Sequence, residues 1–399
     1  MSDVVIRALN NADWDALTTF LDTLSATKQP IHPDGFVHWY TDVVMAYPQA
    51  TIADYHAVFL KKTIVAVIHT RPFVLRYGRA VLNGAGIDLL CVHPDYTALG
   101  YAEALLKELL THVAEQGVHL VLHYVDTVGT HLALSQFGFS PVWADYSVQI
   151  PTSEASALAQ PLQMRVALPR DLPAMAELYA RQWGQRVTCE RNGASWRWHI
   201  AHSRGQAMVV VDERDAIWGY LWHLPDDFSA RVEVIAESPA AIRTCLAYSG
   251  RRWQQAGYDT FRWCVPPDDV IIPFAQQMVS LTLNASYFPN RGWLGRVIDA
   301  RAMLQALLSE IIAQAKVTRS DIDWSGLVLS VAPNGIEIGL RQDSDSQCHL
   351  SLRDFVQVLF GTLRPETLAV REPLSSASVQ LLEALFPPRI ATLAPYDWF

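Results

Sequence analysis

Through the first 150 residues, short apolar runs bounded by turn residues alternate with stripes at helical spacing. The runs Val4 to Ala8, Ala57 to Leu60, Ile64 to Thr70, Phe73 to Tyr77 and Gly86 to Val92 predict strands, with Lys61-Lys62 as a turn, and the last four make a meander. Helical spacing predicts a helix over Ala12 to Leu24, capped by Asn10 or Asn11, and another around Phe36 to Met45. After His93-Pro94, the stripe Leu105, Leu106, Leu109, Leu110 and Val113 predicts a helix from Tyr101 to Gln116 that Gly117 stops. Strand Val118 to Val125, a short helix Thr130 to Ser135 and strand Ser140 to Ile150 follow, and the Ser- and Ala-rich stretch Pro151 to Pro161 reads as a linker.

The same order then returns: strand Met164 to Ala167, helix Leu172 to Gln182, strands Ala207 to Asp212, Ala216 to His223 and Val232 to Ile235, helix Ala240 to Gln255 and strand Tyr258 to Val265. From strand-ending proline to helix-ending glycine, the second copy (Pro239 to Gly257) is five residues shorter than the first (Pro94 to Gly117). A third pattern begins near Arg296. It has a helix Ala300 to Ala315, a hairpin across Asn334-Gly335 joining Leu327 to Ala332 with Ile336 to Leu340, a strand His349 to Leu352, and helices Asp354 to Leu363 and Ser376 to Phe386. The 399 residues therefore divide into three α+β domains, 1–150, 162–295 and 296–399. The apolar, proline-containing end Leu385 to Phe399 suggests docking rather than fraying.

Composition narrows the function. Hydrophobic residues at 50% and charged residues at 18% describe a folding chain. The net charge of -9, from 31 Lys and Arg against 40 Asp and Glu, offers no general basic field for nucleic acid and suits a cationic ligand. The five cysteines lack a CxxC pair, and the 13 histidines lack an HExxH array, so reduced thiols and no metal site are expected. The N-terminal residues carry Asp3 and Arg7 without the apolar region of a secretion signal, and the uncharged stretch Val270 to Asn290 contains Pro273, Gln276, Gln277 and Asn284. A cytoplasmic chain without a membrane span is expected. Most of the 13 tryptophans read as core.

The extra residues of the first copy lie in Val92-His93-Pro94-Asp95-Tyr96-Thr97-Ala98-Leu99-Gly100-Tyr101-Ala102, a strand end, loop and helix start. Such a segment points free amides at an anion such as a pyrophosphate, or is an ordinary strand-to-helix turn. The run Gly86 to Pro94, then Gly100-Tyr101-Ala102, a helix, a strand and Leu134-Ser135-Gln136-Phe137-Gly138-Phe139, resembles motifs A and B of the GCN5-related N-acetyltransferases. In the second half Glu237-Ser238-Pro239 and Pro266-Pro267-Asp268-Asp269 resemble the cofactor-free second domain of the enhanced-intracellular-survival (Eis) proteins. Those proteins end in a sterol-carrier-protein-like domain and a C-terminal phenylalanine, matched here by the third segment and Phe399.

The resemblance implies tandem acetyltransferase folds, each a mixed sheet flanked by helices, the first carrying an acyl-CoA site and the second none, followed by a sterol-carrier-protein-like α+β domain. It implies an N-acyltransferase that uses acetyl-CoA as co-substrate, by direct attack on the thioester, and acylates an amine-bearing small molecule or a lysine. Backbone amides of Leu90 and Val92 would hold the pantetheine arm and polarise the thioester carbonyl. Thr97, Ala98, Leu99, Gly100, Tyr101 and Ala102 would line the pyrophosphate loop, with Gly129 near the cofactor. Leu89 would face the acceptor, and Phe36 and Trp39 either build an aromatic acceptor pocket or pack the core. The carboxylate of Phe399 would be the base, or the tail merely packs. Asp88 either steers a cationic amine or faces solvent. A homo-oligomer is implied, with a hexamer as one form.

Two positions depart from that family. Thr97-Ala98-Leu99 stand where it places Arg or Gln against the phosphates, and Leu134 stands where it carries the tyrosine that protonates the leaving thiolate. Tyr124 and His131 are the candidates to replace that acid. The alternative function is a degenerate, non-catalytic member that binds an apolar ligand or a protein partner.

Overall fold

The structure, a computed structural model, describes residues 4–27, 47–48, 50–97, 99–125, 127–184, 186–202, 207–223, 231–286, 292–387 and 389–390. The strands are β1 Val4–Ala8, β2 Tyr55–Leu60, β3 Thr63–Tyr77, β4 Ala80–Val92, β5 Leu120–Val125, β6 Ser140–Trp143, β7 Asp145–Pro151, β8 Gln163–Val166 and β9 Val187–Cys189. There follow β10 Ala207–Val211, β11 Ile217–His223, β12 Arg231–Ala236, β13 Thr260–Trp263, β14 Thr282–Ser286, β15 Gly292–Val297, β16 Leu327–Ala332, β17 Gly335–Leu340 and β18 Asp343–Ser351. The chain forms two compact units, one holding β1 to β6 and β15 onward, the other β7 to β14.

In the first unit the strands lie in the order β1-β2-β3-β4-β5-β15-β6. The pair β4–β5 is parallel and its neighbours are antiparallel. One core, with Ile68, Ile87, Leu105, Leu109 and Phe139, lies under the helix Tyr101–Glu115. The other, with Leu17, Phe20, Leu21, Tyr55, Val67 and Leu89, lies under the helix Trp14–Thr27. Of the two candidate caps for that helix's opening turn, Asn10 is the one used: its side chain accepts from the Ala12 amide, while Asp13 accepts from the Asn10 amide and pairs with Arg7 at 2.7 Å.

Several elements differ from the sequence pattern for identifiable reasons. The runs Ile64 to Thr70 and Phe73 to Tyr77 are one strand, β3, which pairs with β4 on both sides of a register shift at His69/Thr70 and keeps Pro72 in the ladder opposite Ala85. The strand expected from Gly86 starts at Ala80, since Gly78, at φ 60°, turns the hairpin tightly. The strand expected over Ser140 to Ile150 divides at Ala144 into β6 and β7, which belong to different sheets. Strand β15, absent from the sequence reading, lies between β5 and β6, and the expected boundary at residue 296 falls inside it. Its Gly295 breaks the apolar run but is sterically required, as a Cβ there would sit 2.5 Å from Val142 Cγ1. Part of the expected linker is the helix Thr152–Ser156, and the helix Gly193–His202, capped by Asn192, was also not expected. The helix expected over Phe36 to Met45 lies outside the described residues.

The third segment shares the first compact unit. Its hairpin pairs Leu327 with Leu340 through Ala332 with Gly335, so Pro333 and Asn334 occupy the turn, one residue earlier than expected. Tyr77 donates its hydroxyl to Leu359 O at 3.2 Å, and Arg389 lies over the Tyr77 ring and pairs with Glu310 at 2.9 Å. These contacts join the β3–β4 hairpin to the C-terminal helices.

The second unit is a 7-stranded sheet in the order β14-β7-β13-β12-β11-β10-β8, with β12 and β13 parallel. Trp183, Trp222 and Trp263 are fully buried, whereas Trp218 is exposed. At its centre Arg191 makes two 2.8 Å bonds to Glu233, which also accepts from the Tyr220 hydroxyl at 2.9 Å. The guanidinium lies over Tyr179 and Trp196. Burial, and then the Glu233 charge, push the Tyr220 phenol well above its ordinary pKa.

Removing one member of this buried pair strands the other charge. Arg191→Met should cost about 3–5 kcal/mol in urea unfolding, and Arg191→Met/Glu233→Gln should recover much of it. Buried histidines predict a pH effect. Burial pulls His56 down to about 4 and His223 to about 3, and lowers His131. The unfolded chain takes up these protons near its unperturbed pKa, about 6.5, and the folded chain does not, so stability is lost as pH falls below about 6.5. The urea midpoint should drop between neutral pH and pH near 5, and His56→Gln should flatten that slope; a midpoint that rises on acidification would contradict it.

Candidate active site

Strands β4 and β5 run together only from Gly84 and Leu120 to Ile87 and His123, where His123 Nδ1 donates to Ile87 O at 2.5 Å. Beyond that rung β4 continues to Val92 along β3, and β5 continues to Val125 along β15. The two parallel strands therefore part at their C-terminal ends. The His93 amide donates to Val65 O at 2.9 Å, which makes Val92, opposite Ala66, a non-hydrogen-bonded position of the β3–β4 ladder. By strand alternation the peptide groups of Val92 and Leu90 face away from β3, toward the opening.

The loop after β4 supplies a second set of amides. Pro94–Tyr96 form a 3-10 turn capped by His93, and the Thr97 hydroxyl donates back to Pro94 O. Gly100 takes the left-handed conformation at φ 73°, with nothing within 4 Å of where a Cβ would stand. As the N-cap of the helix Tyr101–Glu115 it supplies no side-chain cap, so the amides at Tyr101 and Ala102 face outward without one. The corresponding helix of the second unit, Pro239–Gln255, is closed: Ser238 accepts from the Ala241 amide, and Pro239 has no amide hydrogen to offer. Gly129 is exposed in the helix Val128–Gln136, which follows β5 and is capped by Thr127. The side chains exposed at this end include apolar Leu99 at 59%, Val128 at 53% and Leu132 at 56%, together with the acidic Asp95 and Glu103. Lys107 sits farther along its helix on an exposed face.

Leu134 is 1% exposed and packed in the core with Phe139 and Leu105. His131, one helical turn before it on the same face, is buried, and burial keeps its imidazole neutral at neutral pH. Tyr124 is half-buried on β5 just past the last β4–β5 rung, its ring 5.3 Å from that of Trp293. Leu89 is buried on the face under the helix Trp14–Thr27.

Asp88 is not a solvent-facing strand residue. Its Oδ1 lies 2.5 Å from His69 Nδ1, and both side chains are withdrawn from water. His69 had no signal of its own in the sequence, because the two residues meet only through the register of the β3–β4 hairpin. Phe36, Trp39, Ala98 and Phe399 lie outside the described residues. Among the described residues no cluster of His, Cys, Asp and Glu is arranged to hold a metal ion, and no helix is long and apolar enough to cross a membrane.

Residues 5–141 match the family model described as an acetyltransferase (GNAT) domain. Among solved structures, the chain is similar to a GCN5-related N-acetyltransferase from Kribbella flavida, at 15% identity and a TM-score of 0.69 over 100% of this chain and 99% of that one. A GCN5-related N-acetyltransferase from Anabaena variabilis ATCC 29413 aligns at 13% identity and a TM-score of 0.68, over 99% of this chain and 100% of that one. Eis1 from Mycobacterium abscessus aligns at 16% identity and a TM-score of 0.60, again over 99% and 100%. At such identities the likeness establishes the fold. No curated protein matches the sequence.

Because Leu134 fills core space, restoring a tyrosine there should not create an acid at the opening. Leu134→Tyr should lower stability by about 1–3 kcal/mol through overpacking, read as a fall in thermal midpoint, without raising any transferase turnover.

Proposed function

We propose that this chain is an acyl-CoA-dependent N-acyltransferase with one acyl-CoA site, in its first acetyltransferase-type fold, acting on an amine of a cationic small molecule or a lysine. The observation that carries this reading is the parting of β4 and β5 beside an uncapped helix start, within the segment that matches the acetyltransferase family model. Acetyl-CoA is the natural co-substrate for such a site.

In this reading the pantetheine arm adds to the open edge of β4 by bonding to the Leu90 and Val92 peptide groups. The pyrophosphate takes the amides at Gly100, Tyr101 and Ala102, where the helix dipole favours negative charge. Exposed Leu99, in the loop before one helix, and Val128 and Leu132, on the helix after β5, offer apolar contact beside the opening, where the loop lacks arginines. When the amine attacks, charge develops on the thioester oxygen, and a backbone amide already aimed there, that of Leu90, stabilises it. The third segment is read as sterol-carrier-protein-like on its resemblance alone, and a homo-oligomer belongs to the same proposal.

The charge-free loop favours a second reading, a non-catalytic member that binds a ligand without turning it over. Calorimetry and a turnover assay separate the two. The wild-type chain should bind acetyl-CoA more tightly than millimolar with one site per chain, since the second unit's helix is already capped by Ser238. The affinity should depend only weakly on salt. Gly100→Val, which strains a left-handed residue by about 1–2 kcal/mol, should weaken binding roughly tenfold. Absence of binding, or two sites per chain, contradicts the proposal; binding with no turnover of any amine supports the non-catalytic reading.

A further inference from the structure

The last turn of the helix Val128–Gln136 is held by two arginines from distant parts of the chain. Arg296, on β15, donates Nη1 to Phe137 O, and Arg353 donates Nη2 to Ser135 O. Arg353 stands in the first turn of the helix Leu352–Leu359, in the third segment. The two carbonyls lie two residues apart at one helix end, so both guanidiniums come to the same place. A cation at a helix C-terminus is favourable, which accounts for one arginine. It does not account for two, since each brings a full positive charge and a helix end offers only about half of a negative one.

Among the described residues no carboxylate supplies the rest, and neither arginine forms an ion pair. The acidic residues nearest to them in sequence are engaged elsewhere. Asp299 accepts from the Ala302 amide, and Asp354 accepts from the Ser351 hydroxyl and pairs with Arg371. Burial, and then the Arg353 charge, lower the pKa of Arg296, yet a guanidinium stays ionised at neutral pH. In a chain of net charge -9 the pair is a local positive centre.

Both forks are reachable from solvent. Arg353 is exposed and Arg296 half-buried, and none of their nitrogens is among the buried polar atoms that lack a partner. A guanidinium carries five N–H donors and each arginine directs one nitrogen at a carbonyl, so the remaining donors face water.

We propose that Arg296 and Arg353 form a binding site for a phosphate group, which bridges the two guanidiniums at the end of the helix Val128–Gln136. This site does not depend on the acyltransferase reading above. A phosphate dianion matches the two charges, and its oxygens accept the paired N–H bonds of a guanidinium fork, which a halide does not. The helix start flanks the opening between β4 and β5, and its end lies about 13 Å away along the axis, so this is not the loop at Gly100. A bound phosphate ties β15 and the third segment to that helix. Inorganic phosphate and a phosphomonoester share the chemistry.

The test is calorimetry and thermal unfolding of the full chain in inorganic phosphate, in phenyl phosphate and in chloride, at one pH and one ionic strength. The variants are Arg353→Gln, Arg296→Gln and Gly100→Val. Phosphate should raise the thermal midpoint of wild type above its value in chloride, and each arginine variant should weaken phosphate binding roughly tenfold or more. Gly100→Val should bind phosphate at this site as wild type does. Arg353 is exposed, so its variant decides the matter even where Arg296→Gln fails to fold. Tighter binding of phenyl phosphate supports the site and assigns it to a phosphomonoester; tighter binding of inorganic phosphate supports it and assigns it to the free ion. A wild-type midpoint no higher in phosphate than in chloride overturns the proposal. Phosphate binding that persists undiminished in both arginine variants overturns it too, and its loss in Gly100→Val alone would assign the phosphate to the loop.

Discussion

Strand β4 has a neighbour on one side along its full length and on the other side only as far as Ile87. A strand in the middle of a sheet ordinarily satisfies both rows of peptide groups, and unpaired amides held away from water are costly. Here the second row, from Leu90 to Val92, is left facing an opening between two strands that both continue beyond it. In the acyltransferase reading proposed above, an extended amide-bearing arm bonds to this row and meets that cost. The rest of the site follows from this one separation. Because β4 and β5 are parallel, each is followed by a helix on the same side of the sheet's end, so two helix starts flank the opening.

The second unit shows what closing the same plan looks like. Its parallel pair, β12 and β13, is followed in the same way by a helix, yet Ser238 caps that helix and Pro239 removes a donor. Its buried carboxylate is locked between a guanidinium and a phenol, with tryptophan and tyrosine rings around it. Such a network gives rigidity, since every charged group in it has partners. In the first unit the corresponding helix start holds Gly100, which supplies no cap.

Strand β15 explains why the first sheet depends on chain distant in sequence. It bonds to β5 along its whole length, from Gly292 opposite Val125 to Val297 opposite Leu120. Past the last β4–β5 rung, it is the partner that keeps β5 a strand. The opening is thus stabilised from one side by β3 and from the other by residues that follow the entire second unit. The third segment reinforces the hairpin end of the same sheet through Tyr77, Arg389 and Glu310.

Local chemistry in the sequence determined most of the helices and strands, the glycine ends of helices at Gly117 and Gly257, a cap at Asn10 or Asn11 and the strand-loop-helix around Gly100, because each rests on residues within a few positions of one another. The motif carried by Gly86 to Pro94 and Gly100 to Ala102 was legible for the same reason. What only the tertiary structure decided are pairings between distant residues. Strand β15 was invisible since its two glycines dilute a short apolar run and its place depends on the shapes of Val142 and Leu122. The split of Ser140 to Ile150 was invisible because both pieces share one strand pattern, and only the sheets they join tell them apart. The surroundings of Asp88, open in the sequence between steering a cationic amine and facing solvent, were not legible because a period-two pattern assumes an unbroken strand, and a single bulged residue shifts every later side chain to the other face. That shift, set by how β3 lies on β4, is what brought His69 to it.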